Sequence, residues 1–354
     1  MRVKNMKQLG FFSEEKALER LSKLGDPLEQ LDKIMDWEIF MPIMDEIRPD
    51  KTQEGVGGRP PYPNLFVFKS LILKSLNGVS NEQMEYFVND RLSWKRFLGL
   101  SLEEKSPDEN AFWTWEEIVV KSGRYDELFD IFNQKLEEIG VIAKKGALID
   151  STFVDVPRQR ISRDERESLK QKELPDRWLM PENANELSQR DAEAAWAKKG
   201  DETHFGYKDH VKVDSESKII TDYEVTPANV HDSQEIIDLV DENDPMVAAD
   251  SVYSSQEIRE TLQRRNPEIE ILISEKGTRG NPLTDEQKAR NREISRIRAG
   301  VEHVFGRMHG SMGGIVVRCI GLTRVRCSVC FKNLAYNMLQ YGTLVKLGRA
   351  PSLA

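Results

Sequence analysis

Cysteine is scarce: Cys319, Cys327 and Cys330 are the only three in 354 residues, an odd number gathered near one end. That excludes a disulfide framework and points to a reducing compartment. No run of about 18 apolar residues occurs, which disfavours a membrane-spanning helix. Met1 to Phe12 also lacks the apolar stretch and small-residue cleavage site of a secretory leader. A cytoplasmic protein is the expectation. Internal repeats and low-complexity tracts are missing as well. So is a surplus of positive charge, since the net charge is −9, which taken as a total argues against a polyanionic partner. What is present is core-forming material: 39% hydrophobic residues, with 14 Phe, 8 Tyr and 6 Trp, too rich for a disordered chain. The length predicts two domains or one enlarged fold.

The charge is unevenly spread. From Glu103 to Glu138 eleven acids face four bases, whereas from Lys288 to Lys332 ten Lys or Arg face only Glu293 and Glu302. A locally basic segment permits a phosphate-binding face inside an acidic protein.

Residues 13–48 read as helices, with Leu28, Leu31, Ile34, Met35, Ile39 and Ile43 at helical spacing and Pro42 as the kink or end. Gly55 to Pro63 is a stiff connector. Leu65 to Leu76 predicts a helix stopped by Asn77 and Gly78, and Ser80 with Gln83 forms a capping box that starts the next. This helix, turn and helix has the outline of a helix-turn-helix, an outline shared by ordinary helical hairpins. From Gly146 the texture changes to five short strands: 147–154, 206–213, 218–226, 246–249 and 269–273. Between the first two lies a charged surface excursion, 157–204. A basic helix over 285–310 and a last helix over 325–347 complete the chain.

Three carboxylates interrupt apolar surroundings. Asp150 ends the run that begins at Ala147, Asp250 ends Met246 to Ala249, and Glu302 borders the apolar stripe of Val301, Val304 and Phe305. A buried acid is costly unless paired or metal-bound. Two adjacent strands and a helix would bring all three into a hard oxygen site suited to two Mg²⁺ ions about 3.5–4 Å apart, with phosphodiester displacement as the matching chemistry. Taken singly, each acid also reads as an ordinary capping group. Cys327 and Cys330 have C-x-x-C spacing but no second pair, and read as buried structural thiols. Trp113 and Trp115 read as helix core, with stacking on an unpaired base as the alternative.

At these residues the chain resembles the DDE transposases of bacterial insertion sequences, in the IS-five family, over nearly its whole length. The resemblance is carried by Leu148-Ile-Asp-Ser-Thr152, Ala248-Ala-Asp-Ser-Val-Tyr253 and Arg298-Ala-Gly-Val-Glu-His-Val-Phe-Gly306. It extends to Gly58-Arg-Pro-Pro-Tyr62, Gly206-Tyr-Lys-Asp-His-Val-Lys212, Val230-His-Asp-Ser233 and Lys332-Asn-Leu-Ala-Tyr-Asn337. Where the family's last motif carries Tyr and a base around its Arg and Glu, this chain has Ser295 and His309.

The resemblance implies a mixed α/β fold: an RNase H-like catalytic domain with a five-stranded mixed sheet at 126–347, preceded by a helical DNA-binding and assembly region at 1–125 and followed by a tail at 348–354. It implies a transposase that binds terminal inverted repeats and catalyses Mg²⁺-dependent cleavage and strand transfer, with Mn²⁺ substituting. Asp150, Asp250 and Glu302 would be the catalytic metal ligands. Candidate DNA contacts are Arg298, Arg296, Arg292, Arg307, His309, Lys208, His210, Arg59, Lys95 and Arg96, with Lys69 and Arg91 beside them. Partners would be double-stranded terminal and target DNA and a second copy of the chain in a dimer or larger assembly. The alternative is an RNase H-fold nuclease, or a host-adopted DNA-binding relative, without full transposition activity.

Overall fold

Residues 13–49, 60–171, 173–278 and 280–354 are described by a computed structural model. Arg59 and most of the 55–63 connector lie outside them. Helices α1 (Ser13–Leu24), α2 (Pro27–Ile34), α3 (Met41–Ile47), α4 (Asn64–Asn77), α5 (Asn81–Asp90), α6 (Leu92–Leu98), α7 (Glu109–Ser122) and α8 (Tyr125–Glu138) precede the first strand. Their ends follow local chemistry. Asp26 accepts from the Leu28 amide at 3.0 Å and caps α2, the Ser80/Gln83 capping box starts α5, and Gly78 ends α4 in left-handed backbone. Pro42 opens α3 instead of ending a helix, because a first-turn N–H has no partner within the helix for proline to remove.

The second half runs β1 (Ala147–Asp155), α9 (Arg163–Lys170), α10 (Asp176–Leu179), α11 (Ala184–Leu187), β2 (Ala195–Lys199), β3 (Glu202–Asp214), β4 (Ile220–Pro227), α12 (Ile236–Leu239), β5 (Met246–Ala249), α13 (Gln256–Arg265), β6 (Glu270–Ile273), α14 (Asp285–His309) and α15 (Leu322–Lys346). Among the described residues the sheet has six strands, not five. β3 pairs antiparallel with β1, β2 and β4, while β1, β5 and β6 are mutually parallel in that order. The extra strand, β2, lies in the charged excursion and pairs with the first residues of β3. Gly206 makes this crossing possible, since a Cβ there would lie 2.2 Å from the Val154 carbonyl oxygen.

Side chains alternate across β1, and the alternation sets the two faces. Leu148 and Val154 join a large core shared with α14, α15 and the N-terminal helices. Ala147 and Ile149 join a second core under α12 and α13. Helix α15 is buried almost all round between Val325 and Met338, as expected of a helix packed on both sides. One side meets α2, α4 and α8, the other β4. Asn337 on α15 accepts from the Ile220 amide at 2.8 Å and donates to the Ile220 carbonyl at 2.7 Å, so its amide group satisfies the start of β4 as a strand would. Cys327 and Cys330 are buried free thiols, and the Cys330 thiol donates to the Tyr125 carbonyl. Trp115 is buried, whereas Trp113 on the same helix is 55% exposed.

The excursion is packed, not merely laid over the surface. Trp178 is fully buried and donates from Nε1 to Glu165 at 2.8 Å. Asp191 accepts from the Tyr207 hydroxyl at 2.6 Å and from the Gly321 amide at 3.1 Å. Glu193 accepts from the Leu322 amide at 2.8 Å. Two acids of the excursion thus supply the cap that α15 lacks locally, and both favour the positive end of its dipole. No helix of the described residues is long and apolar enough to cross a membrane.

Candidate active site

Asp150 on β1 and Asp250, the residue just after its parallel neighbour β5, stand at equivalent positions along the two chains. Each carboxylate accepts from the amide of the serine that follows it, Ser151 at 2.8 Å and Ser251 at 2.5 Å. Helix α14 lies against β1 because Gly300 has no side chain. A Cβ there would sit 2.8 Å from Leu148 Cδ1 and 2.6 Å from Lys218 Nζ. This close approach delivers Arg298 to both acids, with Nη2 3.1 Å from Asp150 Oδ2 and Nη1 3.7 Å from Asp250 Oδ1.

Arg298, Glu302, Phe305 and His309 fall on one stripe of α14 by helical spacing. Both ends of the stripe touch β1, since His309 Nε2 lies 3.1 Å from the Thr152 hydroxyl. Glu302 lies between them and is exposed. Among the described residues no three His, Cys, Asp or Glu side chains come close enough to hold a metal ion. The structure therefore joins Asp150 and Asp250 through Arg298 and places Glu302 one helical turn away. Burial raises the Asp150 carboxyl above the usual carboxylate range, a shift that the Ser151 amide and Arg298 only partly offset. A pair of hard oxygen donors, one of them unfavourably buried, fits a divalent cation.

The other predicted contacts divide into free and engaged groups. Arg292 and Arg296, with Arg290, are exposed on α14 and have no hydrogen-bond or ion-pair partner among the described residues. Arg307 points to α15, donating to Gln340 at 3.2 Å and Thr343 at 3.3 Å, and does not supply the cation missing from position 309. Lys208 and His210 lie on the opposite face of the sheet from Asp150, because β3 pairs Val211 with Asp150 and alternation turns its neighbours away. Lys208 donates to Asp232 at 2.7 Å, and His210 meets the Thr226 hydroxyl at 2.9 Å. Burial holds His210 toward its neutral form.

The helical region's cations are likewise in use. Lys95 is buried and donates to the carbonyls of Leu102 at 2.6 Å and Glu104 at 2.5 Å. Arg96 pairs with Asp26 and, at 3.2 Å, with Glu29. Lys69 pairs with Asp32, and Arg91 lies 3.7 Å from the centre of the Phe87 ring. Helix α5, which would be the reading helix of a helix-turn-helix, carries Glu82, Glu85 and Asp90 and no Lys or Arg.

Two further carboxylates beside the motif residues are engaged in the fold. Asp232 is the partner of Lys208. Asp209 is fully buried beside Asn333 of α15, with its carboxyl pushed up to about 7 by burial. Its place between Lys208 and His210 on a strand was the available signal.

Comparisons with known families agree with this architecture. The family described as "Transposase domain (DUF772)" matches residues 16–117, the helical region. A cryo-EM structure of a piggyBac transposase synaptic complex with hairpin DNA is similar at a TM-score of 0.44 and 12% identity, over 95% of this chain and 78% of that one, a likeness too distant to support a functional assignment. The family described as "Transposase DDE domain" matches residues 143–338, more than half of the chain and the whole stretch that carries Asp150, Asp250, Arg298 and Glu302, so the chain belongs to the DDE transposase family.

Proposed function

We propose that this chain is the transposase of an insertion sequence of the IS-five type, binding terminal inverted repeats and carrying out strand cleavage and strand transfer. The observation that carries the reading is the meeting of Asp150 and Asp250 at adjacent parallel strands, bridged by Arg298 with Glu302 one turn beyond. Antiparallel β1, β3 and β4, with the short β2 added at the start of β3, followed by β5 and β6 parallel to β1, and helices on both faces, support an RNase H-like domain over about 126–347. Asp150, Asp250 and Glu302 would hold Mg²⁺, or Mn²⁺ in its place. Divalent ions held there would supply activation of a water or a 3′-hydroxyl and stabilisation of the leaving oxygen.

The chain's own groups do the rest. Arg298 neutralises a phosphate oxygen or orients Glu302 across one helical turn. Thr152 and His309 brace the end of α14 on β1. Arg292 and Arg296, exposed and unpaired, continue the positive surface along α14 and fit the backbone of duplex DNA. Holding two transposon ends requires a dimer or larger assembly.

A labelled duplex bearing the gene's flanking sequence, incubated with Mg²⁺, tests the reading. Cleavage followed by joining to a second duplex is expected. Cleavage without joining assigns the nuclease alternative, and no metal-dependent cleavage with intact terminal repeats sinks the proposal.

A further inference from the structure

Two arginine–carboxylate contacts in this chain differ in quality. Arg324 grips Glu117 with two nitrogens at 2.6 and 2.9 Å, a well-made fork. Arg298 reaches Asp150 at 3.1 Å and Asp250 at 3.7 Å, while its Nε is buried without a hydrogen-bond partner. A charged N–H···O bond is about 2.7–2.9 Å when well formed. The Arg298 guanidinium is thus shared between two acids, optimal for neither, and has a donor to spare.

We propose that Arg298 is a placeholder cation, a positioning residue that neutralises Asp150 and Asp250 in the DNA-free protein and transfers to an incoming phosphodiester, releasing both carboxylates to a divalent ion. This rests on the proposed role of the two aspartates as metal ligands. With Arg298 between them the pair carries a net single negative charge, too little to hold a divalent ion well and still repellent to phosphate. Once phosphate oxygens accept from the guanidinium, the acids regain both negative charges, and each group has an opposite partner. A planar fork suits both duties, because it spans two carboxylates in one state and two phosphate oxygens in the other. Metal and DNA then bind with positive coupling, and the coupling is reciprocal.

Mn²⁺ binding to the full-length protein, followed by loss of the free-ion electron paramagnetic resonance signal, tests this with and without a short duplex oligonucleotide at low salt. An Asp150→Asn, Asp250→Asn double variant measured in parallel subtracts ions held by DNA or elsewhere. The corrected wild-type affinity should rise about tenfold or more when DNA is added. Arg298→Gln should bind Mn²⁺ about tenfold more tightly than wild type without DNA and gain little on its addition. Arg298→Lys should fall between, because an ammonium reaches only one carboxylate at a time. Equal wild-type affinity with and without DNA overturns the placeholder role and leaves the metal-ligand reading standing, as does an Arg298→Gln affinity no higher than wild type. A wild type indistinguishable from the double variant in both conditions overturns both. Should Arg298→Gln lose its circular dichroism signature of folding, the wild-type and Arg298→Lys comparisons still decide.

Discussion

The cations of the helical region and those of α14 have opposite fates. Lys69, Lys95 and Arg96 are consumed within the fold by Asp32, by backbone carbonyls and by Asp26. Arg290, Arg292 and Arg296 stand in solvent with no partner among the described residues. Counting bases along a sequence does not distinguish the two cases. A base becomes available to a polyanion only when neighbouring helices have left it unused, and α5, with Glu82, Glu85 and Asp90 and no Lys or Arg, has none to offer.

The comparison can be broken most severely at the carboxylates that α14 approaches. Asp150→Asn or Asp250→Asn should reduce metal-dependent cleavage by about a thousandfold or more with the melting temperature nearly unchanged. Near wild-type cleavage by either variant would remove that residue from the site. Next in size is Arg96→Ala, which leaves Asp26 buried without its partner and should cost about 3 kcal/mol of stability. Its signature is a lower urea midpoint with an unaltered salt dependence of DNA binding. A flattened salt dependence would return Arg96 to the DNA surface.

The mirror-image experiment replaces Arg290, Arg292 and Arg296 together by Ala. If all three touch phosphate, the slope of log affinity against log salt should shrink by about 2–3, at about 0.9 per contact, and thermal stability should hold. A destabilised variant with the original slope would show instead that these arginines bind other parts of the protein. A pH-dependent effect is expected at Asp209. An ordinary unfolded aspartate ionises near about 4, whereas burial pushes this one up to about 7. Between these values the folded protein keeps a proton that the unfolded chain releases, so stability falls as pH rises through the window and the cost is complete above it. Asp209→Asn should flatten melting temperature against pH between about 4 and 7. An unchanged profile would mean the carboxyl is ionised throughout.

Much of this was legible from sequence because it depended on neighbours in the chain. The capping box of α5, the glycine stop of α4 and five of the strands, with Asp150 inside β1 and Asp250 just after β5, follow from local rules. The sixth strand was hidden because Ala195–Lys199 is short and mostly exposed, and its pairing comes from β3. Lys208 and His210 were attached to the right strand but not to a face, since the face depends on register with β1. Glu302 was singled out by its motif, but that it stands exposed on α14, one turn beyond the arginine that meets both aspartates, follows from how α14 packs on β1 and not from spacing in the chain.

The position of α15 has a consequence during synthesis. The surfaces of α2, α4 and α8 that meet this helix are made well before α15 itself is translated. Until then the nascent chain must carry those apolar faces uncovered, and β4 lacks the Asn337 clamp on its first residue. A release near residue 125 or 300 therefore leaves a species with those apolar faces uncovered, prone to aggregation and proteolysis.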